Sequence, residues 1–350
     1  MSSSGSETLE IPGYQVMQYL GSGARSTIWQ IKESRTGKIF ALKRVVKRQV
    51  SDTRFLEQAE NEYQVAQGLD HATIRRIYKI RRVKRWLSLR EIHLIMEYCQ
   101  GRTIQEARPK AILQVIEIFR QVADALFHVN QQGFVHGDMK PNNILVGPDG
   151  KTAKIIDLGQ SCPNGTIKQR IQGTPDFIAP EQVHRKPLDA RTDVYNFGAA
   201  LYWTLTGKPI PTVLPKKAEV PQISDLAVTP PEELNPGVPE TLSKLVLDCI
   251  QLRPADRPVS MEKVGSRLSL IAYMLTRTDD EAVDPSAESL PGHLDSQDSE
   301  ALPEGLDDTY HGPMELPADA IPDSVDQEHH ELDSHIENVL REDNGKGKKD

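Results

Sequence analysis

The 350-residue sequence predicts an α+β chain of two lobes, a small β-rich one followed by a larger helical one. Three observations predict it. Short runs of β-forming residues crowd the stretch from Tyr14 to Tyr98, with one helical segment among them. After Gly101 the apolar residues recur at helical spacing. From Asp279 the composition turns acidic and keeps almost no aromatics, which ends the folded part. Charge follows the same boundary: Asp279 to Asp350 holds 22 acidic and 4 basic residues, net -18, leaving 28 acidic and 38 basic residues before it, net +10.

Each element has a local reason. Residues 1–13 begin small and polar and read as a disordered N-terminus. Strands are expected at Tyr14–Leu20, Thr27–Lys32, Lys38–Val45, Ile77–Val83 and His93–Tyr98, separated by turn residues such as Arg35-Thr36-Gly37. Thr53–Gly68, rich in Glu and Gln, is the helix among them. In Lys110–Asn130 the residues Ile112, Val115, Ile116, Phe119, Val122, Ala123, Leu126 and Val129 mark one helix that stops before Gly133. Two short strands, Ile144–Val146 and Ala153–Ile156, flank the turn Gly147-Pro148-Asp149-Gly150. Further helices are expected at Asp193–Thr206, Pro239–Gln251 and Met261–Leu275. No repeat of 20 to 50 residues is visible, which argues against a solenoid or propeller.

Composition excludes several classes. Cys99, Cys162 and Cys249 are odd in number and lack CxxC spacing, so neither a disulfide framework nor a zinc site is expected. The start MSSSGSETLE lacks a basic and apolar leader, and the run Leu268–Leu275 is far short of the ~20 residues of a membrane helix, so a cytoplasmic protein without membrane contact is expected.

Four segments carry chemistry. Gly21-Ser22-Gly23-Ala24-Arg25-Ser26 lies between two strands, where glycines let backbone amides approach phosphates; an ordinary hairpin turn is the plain alternative. Ala41-Leu42-Lys43 sets a lysine among apolar residues, where it needs an anionic partner if buried. His136-Gly137-Asp138-Met139-Lys140-Pro141-Asn142-Asn143 gathers a carboxylate, an ammonium and a carboxamide in one loop. That set suits orienting a hydroxyl, neutralising phosphate charge and holding a divalent cation. Ile156-Asp157-Leu158-Gly159 ends a strand with a second carboxylate.

In this order and spacing the four segments resemble the signature set of the eukaryotic-like serine/threonine protein kinases, over about Tyr14 to Leu275. Gly173-Thr174-Pro175 with Ala179-Pro180-Glu181, and Asp193-Val194-Tyr195-Asn196-Phe197-Gly198, resemble two further family segments. Arg257 matches the arginine that pairs with the Ala-Pro-Glu glutamate. The resemblance implies the bilobal protein kinase fold, with an N-lobe at 14–98 and a C-lobe at 102–275. It implies transfer of the ATP γ-phosphate to protein serine or threonine hydroxyls with Mg2+. Asp138 would orient the hydroxyl and Lys140 would steady the γ-phosphate; Asn143 and Asp157 would bind magnesium. Leu20, Gly21, Ser22, Gly23 and Ala24 would lie over the nucleotide. Lys43, paired with Glu62 or else Glu60, would hold its phosphates. Ile28, Ala41 and Leu145 would enclose adenine, with Met96 at the gatekeeper position and Glu97 and Cys99 offering backbone hydrogen bonds. Lys140, two residues after Asp138, fits the serine/threonine pattern.

Three departures stand out: Ser26 for the third glycine, Leu158 for the phenylalanine of Asp-Phe-Gly, and Gly137 for the arginine before the catalytic aspartate. The last removes the cation that would dock a phosphorylated activation loop, so activity without that phosphorylation is expected. The alternatives are a binding module on the same fold and a small-molecule kinase; the complete residue set speaks against the first and the Gly-Thr-Pro and Ala-Pro-Glu segments against the second. Among partners, protein substrates are expected. The basic run Arg75, Arg76, Lys79, Arg81, Arg82, Lys84, Arg85 and Arg90 has no nucleic-acid motif beside it and reads as a solvated face rather than a nucleic-acid site. The acidic tail, 279–350, reads as mostly disordered, with a helical face at Leu332, Ile336, Val339 and Leu340 and with contact to the basic body as the alternative to a solubilising role. His329 and His330 lack companion metal ligands.

Overall fold

The computed structural model describes residues 9–23, 25–211 and 228–283, with side chains as far as Arg277. A five-stranded antiparallel sheet opens the chain: β1 (Tyr14–Gly23), β2 (Ser26–Glu33), β3 (Ile39–Val46), β4 (Ile77–Arg85) and β5 (Ser88–Glu97), in the order β1-β2-β3-β5-β4. Alternation along β3 explains its two faces. Leu42 points to a cluster with Ile31 and Ile95, whereas Ala41 and Val45 join the main core. Helix α1 (Thr53–Gln67) packs on the second face through Leu56, Ala59 and Val65, and the same face of α1 buries Glu62. Asp52 caps the turn before α1, accepting from the Arg48 and Gln49 amides at 2.9 Å each.

The helical lobe is built on α2 (Ile112–Gln131), whose apolar residues are buried nearly all round it. It contacts α4 (Ala190–Thr206), where the Phe119 and Phe197 rings meet edge to face at 5.3 Å. β6 (Arg102–Thr103) precedes α2, and between α2 and α4 in sequence run β7 (Phe134–Val135), β8 (Ile144–Val146), β9 (Ala153–Ile155), β10 (Cys162–Pro163) and the short α3 (Pro180–Val183). After α4 come α5 (Pro231–Leu234), α6 (Glu240–Cys249) and α7 (Met261–Val283). Gly101 joins the lobes at φ +138°, and a Cβ there would lie 2.0 Å from the Val146 carbonyl oxygen, so only glycine fits.

The structure revises the expected boundaries in places. Leu9 and Ile11 precede the expected start of the fold, yet Ile11 is buried and packs with Ile31, Leu42 and Ile95, because the apolar residues at 9 and 11 alternate like a strand before the turn at Gly13. Residues 1–8 of the expected disordered N-terminus lie outside the described residues. Helix α4 starts at Ala190, one turn before the expected Asp193, because Asp189 caps it: its carboxylate accepts from the Arg191 amide at 2.7 Å. Helix α7 runs to Val283, past Leu275. The chain divides into two units after Arg277. The acidic tail beyond Val283, with His329, His330 and the Leu332–Leu340 face, lies outside the described residues. Among the described residues no helix is long and apolar enough to cross a membrane.

Candidate active site

Sheet register brings the residues of the small lobe together. Ile28 on β2 pairs with Lys43 on β3, and Ala41 on β3 pairs with Met96 on β5. Ala41 and Lys43, two residues apart, therefore share a face beneath the β1–β2 turn, in which Gly21 pairs with Ile28, Ser22 with Thr27 and Gly23 with Ser26. Leu20 ends the strand before that turn; Ala24 lies outside the described residues. Lys43 Nζ stands 2.7 Å from Glu62 Oε2, on the buried face of α1, and 3.7 Å from Asp157 Oδ1. Glu60 takes no part and binds Arg82 instead. Burial works against the charge on Lys43, but Asp157 and Glu62 outweigh it and hold its pKa above the ordinary range. Burial likewise works to raise Asp157. Lys43, the Gly159 amide, Lys140 and Arg75 overcome it and bring that carboxyl down to about 2, so it is ionised at neutral pH.

Met96 is fully buried behind Ala41. Glu97 turns its carboxylate away to Lys154, at 2.7 and 2.9 Å, and the Cys99 thiol rests on the Glu97 carbonyl oxygen at 3.8 Å. Burial raises that thiol's pKa, so Cys99 is not a thiolate at neutral pH. Leu145 approaches from the other lobe on β8.

The loop after β7 supplies the second half. Its glycine is required: Gly137 has φ +73° and donates its amide to Asp193 Oδ1 at 2.8 Å. Asp193, buried on α4, also accepts from the His136 amide at 3.0 Å and from Asn130 Nδ2 at 2.8 Å. The next residue, Asp138, presents its carboxylate between two partners. Oδ1 accepts from the Thr174 amide and hydroxyl, both at 3.2 Å, and Oδ2 lies 3.0 Å from Lys140 Nζ. Lys140 closes the ring by donating to Thr174 Oγ1 at 2.6 Å. Asn143 donates Nδ2 to the Asp138 carbonyl at 2.7 Å, which fixes the orientation of its amide. Asp157 spends Oδ1 on the Gly159 amide at 2.8 Å and keeps Oδ2 for another partner, with the side chain 41% exposed. One carboxylate and one amide oxygen beside a cleft suit magnesium, which takes few protein ligands and completes its octahedron with phosphates and water. Among the described residues no group of three or more His, Cys, Asp or Glu side chains could hold a metal alone.

Three contacts had no local signal in the sequence. Arg75 belongs to the basic run read as a solvated face, yet its side chain is only 12% exposed, donates to Ile156 O and lies 3.9 Å from Glu62 Oε1. The reason is topological, since the Ile74–Ile155 bridge brings the segment before β4 beside the strand that leads to Asp157. Asn61, next to Glu62, donates to the Ser161 carbonyl at 2.8 Å and so ties α1 to the segment after Asp157. Arg25, at the tip of the β1–β2 turn, reaches Asp52 Oδ1 at 3.0 Å. The large lobe also contains the expected Glu181–Arg257 pair, bidentate at 2.7 and 2.8 Å, buried, with the guanidinium over the Tyr195 ring.

Residues 14–267, most of the chain, match the family model described as the protein kinase domain. The chain belongs to the protein kinase family. The chain is similar to a protein of Clostridium acetobutylicum named "Probable serine/threonine-protein kinase", 29% identical over 302 residues, 82% of this chain and 45% of that one. It is 32% identical to sperm motility kinase 3A of Mus musculus over 249 residues, covering 69% of this chain and 47% of the relative. With the serine/threonine-protein kinase PknL of Mycobacterium tuberculosis it shares 29% over 270 residues, 75% and 66% of the two chains. The chain thus spans about half the length of the first two relatives and two thirds of the third.

Proposed function

We propose that the chain is a serine/threonine protein kinase that transfers the γ-phosphate of ATP to protein hydroxyls, with 14–275 as its catalytic domain. The observation that carries this reading is the Asp138 carboxylate, fixed by Thr174 and by Lys140, whose charge also acts on Asp157 of the Lys43–Glu62–Asp157 cluster. Phosphoryl transfer asks for little covalent chemistry; it needs an aligned nucleophile and positive charge where the phosphoryl oxygens develop theirs. Asp138 accepts a hydrogen bond from the substrate hydroxyl and aims its oxygen at the phosphorus. Lys140, beside it, meets the γ-phosphate oxygens, and Lys43 meets the α- and β-phosphates. Gly21 and Gly23 leave backbone amides open toward the phosphates, and Ile28, Ala41 and Leu145 cover the adenine, whose edge meets the Glu97 carbonyl and Cys99 amide. Asn143 and Asp157 would hold magnesium, which would supply charge neutralisation at the phosphates.

The same reading includes activity without activation-loop phosphorylation. Gly137 offers no cation for a phosphate, and Ser161 is buried with its carbonyl already held by Asn61. The test is magnesium-dependent transfer from radiolabelled ATP to a basic protein substrate, with Asp138→Asn as the control. Equal incorporation by the two proteins sinks the enzyme. Ser161→Ala and Thr166→Ala should each keep activity within about threefold of wild type; a loss of tenfold or more in either refutes phosphorylation independence.

A further inference from the structure

Immediately after the Ala-Pro-Glu segment stands Gln182, a long polar side chain only 3% exposed. A primary amide has two N–H donors and two acceptor lone pairs. All four are used here, on four different residues. Nε2 donates to the Gly137 carbonyl at 2.7 Å and to the Gln172 carbonyl at 3.3 Å. Oε1 accepts from the Ala179 amide at 2.9 Å and from Asn196 Nδ2, also at 2.9 Å. Asn196, itself buried on α4, donates in addition to the Phe177 carbonyl at 2.6 Å. One neutral side chain thus joins the catalytic loop, both ends of the segment 172–179 and the central helix of the large lobe.

The two carbonyls on Nε2 matter most. The Gly137 carbonyl belongs to the peptide that leads into Asp138, and the amide of the same glycine is held by Asp193. Gln172 lies two residues before Thr174, which bonds Asp138 directly. The activation segment and the catalytic loop are therefore tied by two parallel rungs. Thr174 to Asp138 faces the cleft; Gln172 to Gly137, through Gln182, lies buried behind it. The buried rung uses no charge and no covalent modification.

We propose that Gln182 is a positioning residue that locks the activation segment onto the catalytic loop in the unphosphorylated protein. This rests on the kinase reading above and adds to it the device by which that state is held. Substitutions distinguish it from plain core packing. Gln182→Leu keeps the volume and orphans the carbonyls of Gly137 and Gln172. Gln182→Glu keeps the acceptor toward Ala179 and Asn196 but turns a second oxygen toward those two carbonyls. A carboxylate so placed is repelled, and protonating it restores one donor.

The experiment uses the full chain after phosphatase treatment. At pH 8, kcat toward a protein substrate should fall about 30-fold or more in both variants while the KM for ATP stays within threefold. Relative to wild type, Gln182→Glu should recover at least fivefold between pH 8 and pH 6, and Gln182→Leu should not. The titratable groups next along the brace, Asp138, His136, Asp193 and the Glu181–Arg257 pair, are common to all three proteins and cancel in that ratio. Hydrogen exchange without nucleotide should show amides 172–178 exchanging at least tenfold faster in both variants, with α2 unchanged. A variant kcat within twofold of wild type, a pH-independent loss in Gln182→Glu, or unchanged or uniformly lowered protection overturns the proposal. The exchange readout holds even for a wild type that transfers no phosphate: that result sinks the kinase reading, and the brace stands or falls on residues 172–178.

Discussion

Lys43 illustrates how a single side chain is made useful by its neighbours. A buried ammonium is unfavourable alone, and its two carboxylate partners come from different places, Glu62 on α1 and Asp157 after β9. Glu62→Gln keeps the shape and removes one charge, so kcat should fall about 10- to 100-fold through misplacement of Lys43, with folding retained by circular dichroism. A kcat within twofold would mean that Lys43 needs only Asp157. A second prediction concerns Glu91, whose carboxyl is pulled down to about 2, chiefly by the bidentate Arg44 contact at 2.7 and 2.8 Å and with His93 also bonded. A depressed carboxylate pKa stabilises the fold at pH values above the unfolded one and loses that contribution as pH falls toward the folded one. The whole shift is worth about 3 kcal/mol, which solvent screening at this partly exposed pair reduces to about 1–2 kcal/mol. Urea unfolding should therefore find Glu91→Gln less stable than wild type by that amount at pH 7, with the gap closing between pH 4.5 and pH 2. Residue types and spacing made Lys43, Asp138, Lys140, Asn143 and Asp157 legible in the sequence. Arg75 and Gln182 were not, because each donates to backbone carbonyls brought close only by the fold, and a carbonyl has no letter in a sequence.

At the scale of elements, legibility followed length and periodicity. α2 stood out because its apolar pattern repeats over several turns, and the five strands because each is a run of β-forming residues closed by turn residues. β6, β7 and β10, two residues each, and α3 and α5, four each, have no room for a pattern and exist because tertiary neighbours complete them. α3 is the clearest case: its Glu181 is gripped by Arg257, which also donates to the Gln251, Arg191 and Leu252 carbonyls. One arginine thereby anchors α3, the start of α4 and the turn after α6. Removing one partner of a buried pair strands the other, so Arg257→Met should lower unfolding free energy by about 3–5 kcal/mol. The double variant Arg257→Met/Glu181→Leu should regain part of that loss. A single variant within 1 kcal/mol of wild type in urea titration would refute the anchoring role.

For the whole molecule, the site is assembled from both lobes, which meet at Gly101 and through the Lys43–Asp157 contact. A nucleotide gripping both sides should stabilise them together. At 100 times its dissociation constant, Mg-ATP adds about 2.7 kcal/mol, which for a body of this size raises Tm by about 5–10 °C. Asp157→Asn or EDTA should remove most of the shift; a full shift without magnesium would exclude Asn143 and Asp157 as its ligands. The division of the chain by charge was plain in the sequence, whereas the angle at which one lobe presents its residues to the other was not, since it depends on packing between segments far apart in the chain. The register of β3 sets a rule for length variation. Ile28 opposite Lys43 and Ala41 opposite Met96 hold only while β3 keeps its count against two neighbours at once. An inserted or deleted residue inside β3 would send Lys43 to the outer face and bring Leu42 or Arg44 beneath the glycine-rich turn. The turn at Arg35–Gly37, outside both ladders, is where insertions should be absorbed, and a library of random single-residue insertions would separate the two regions cleanly.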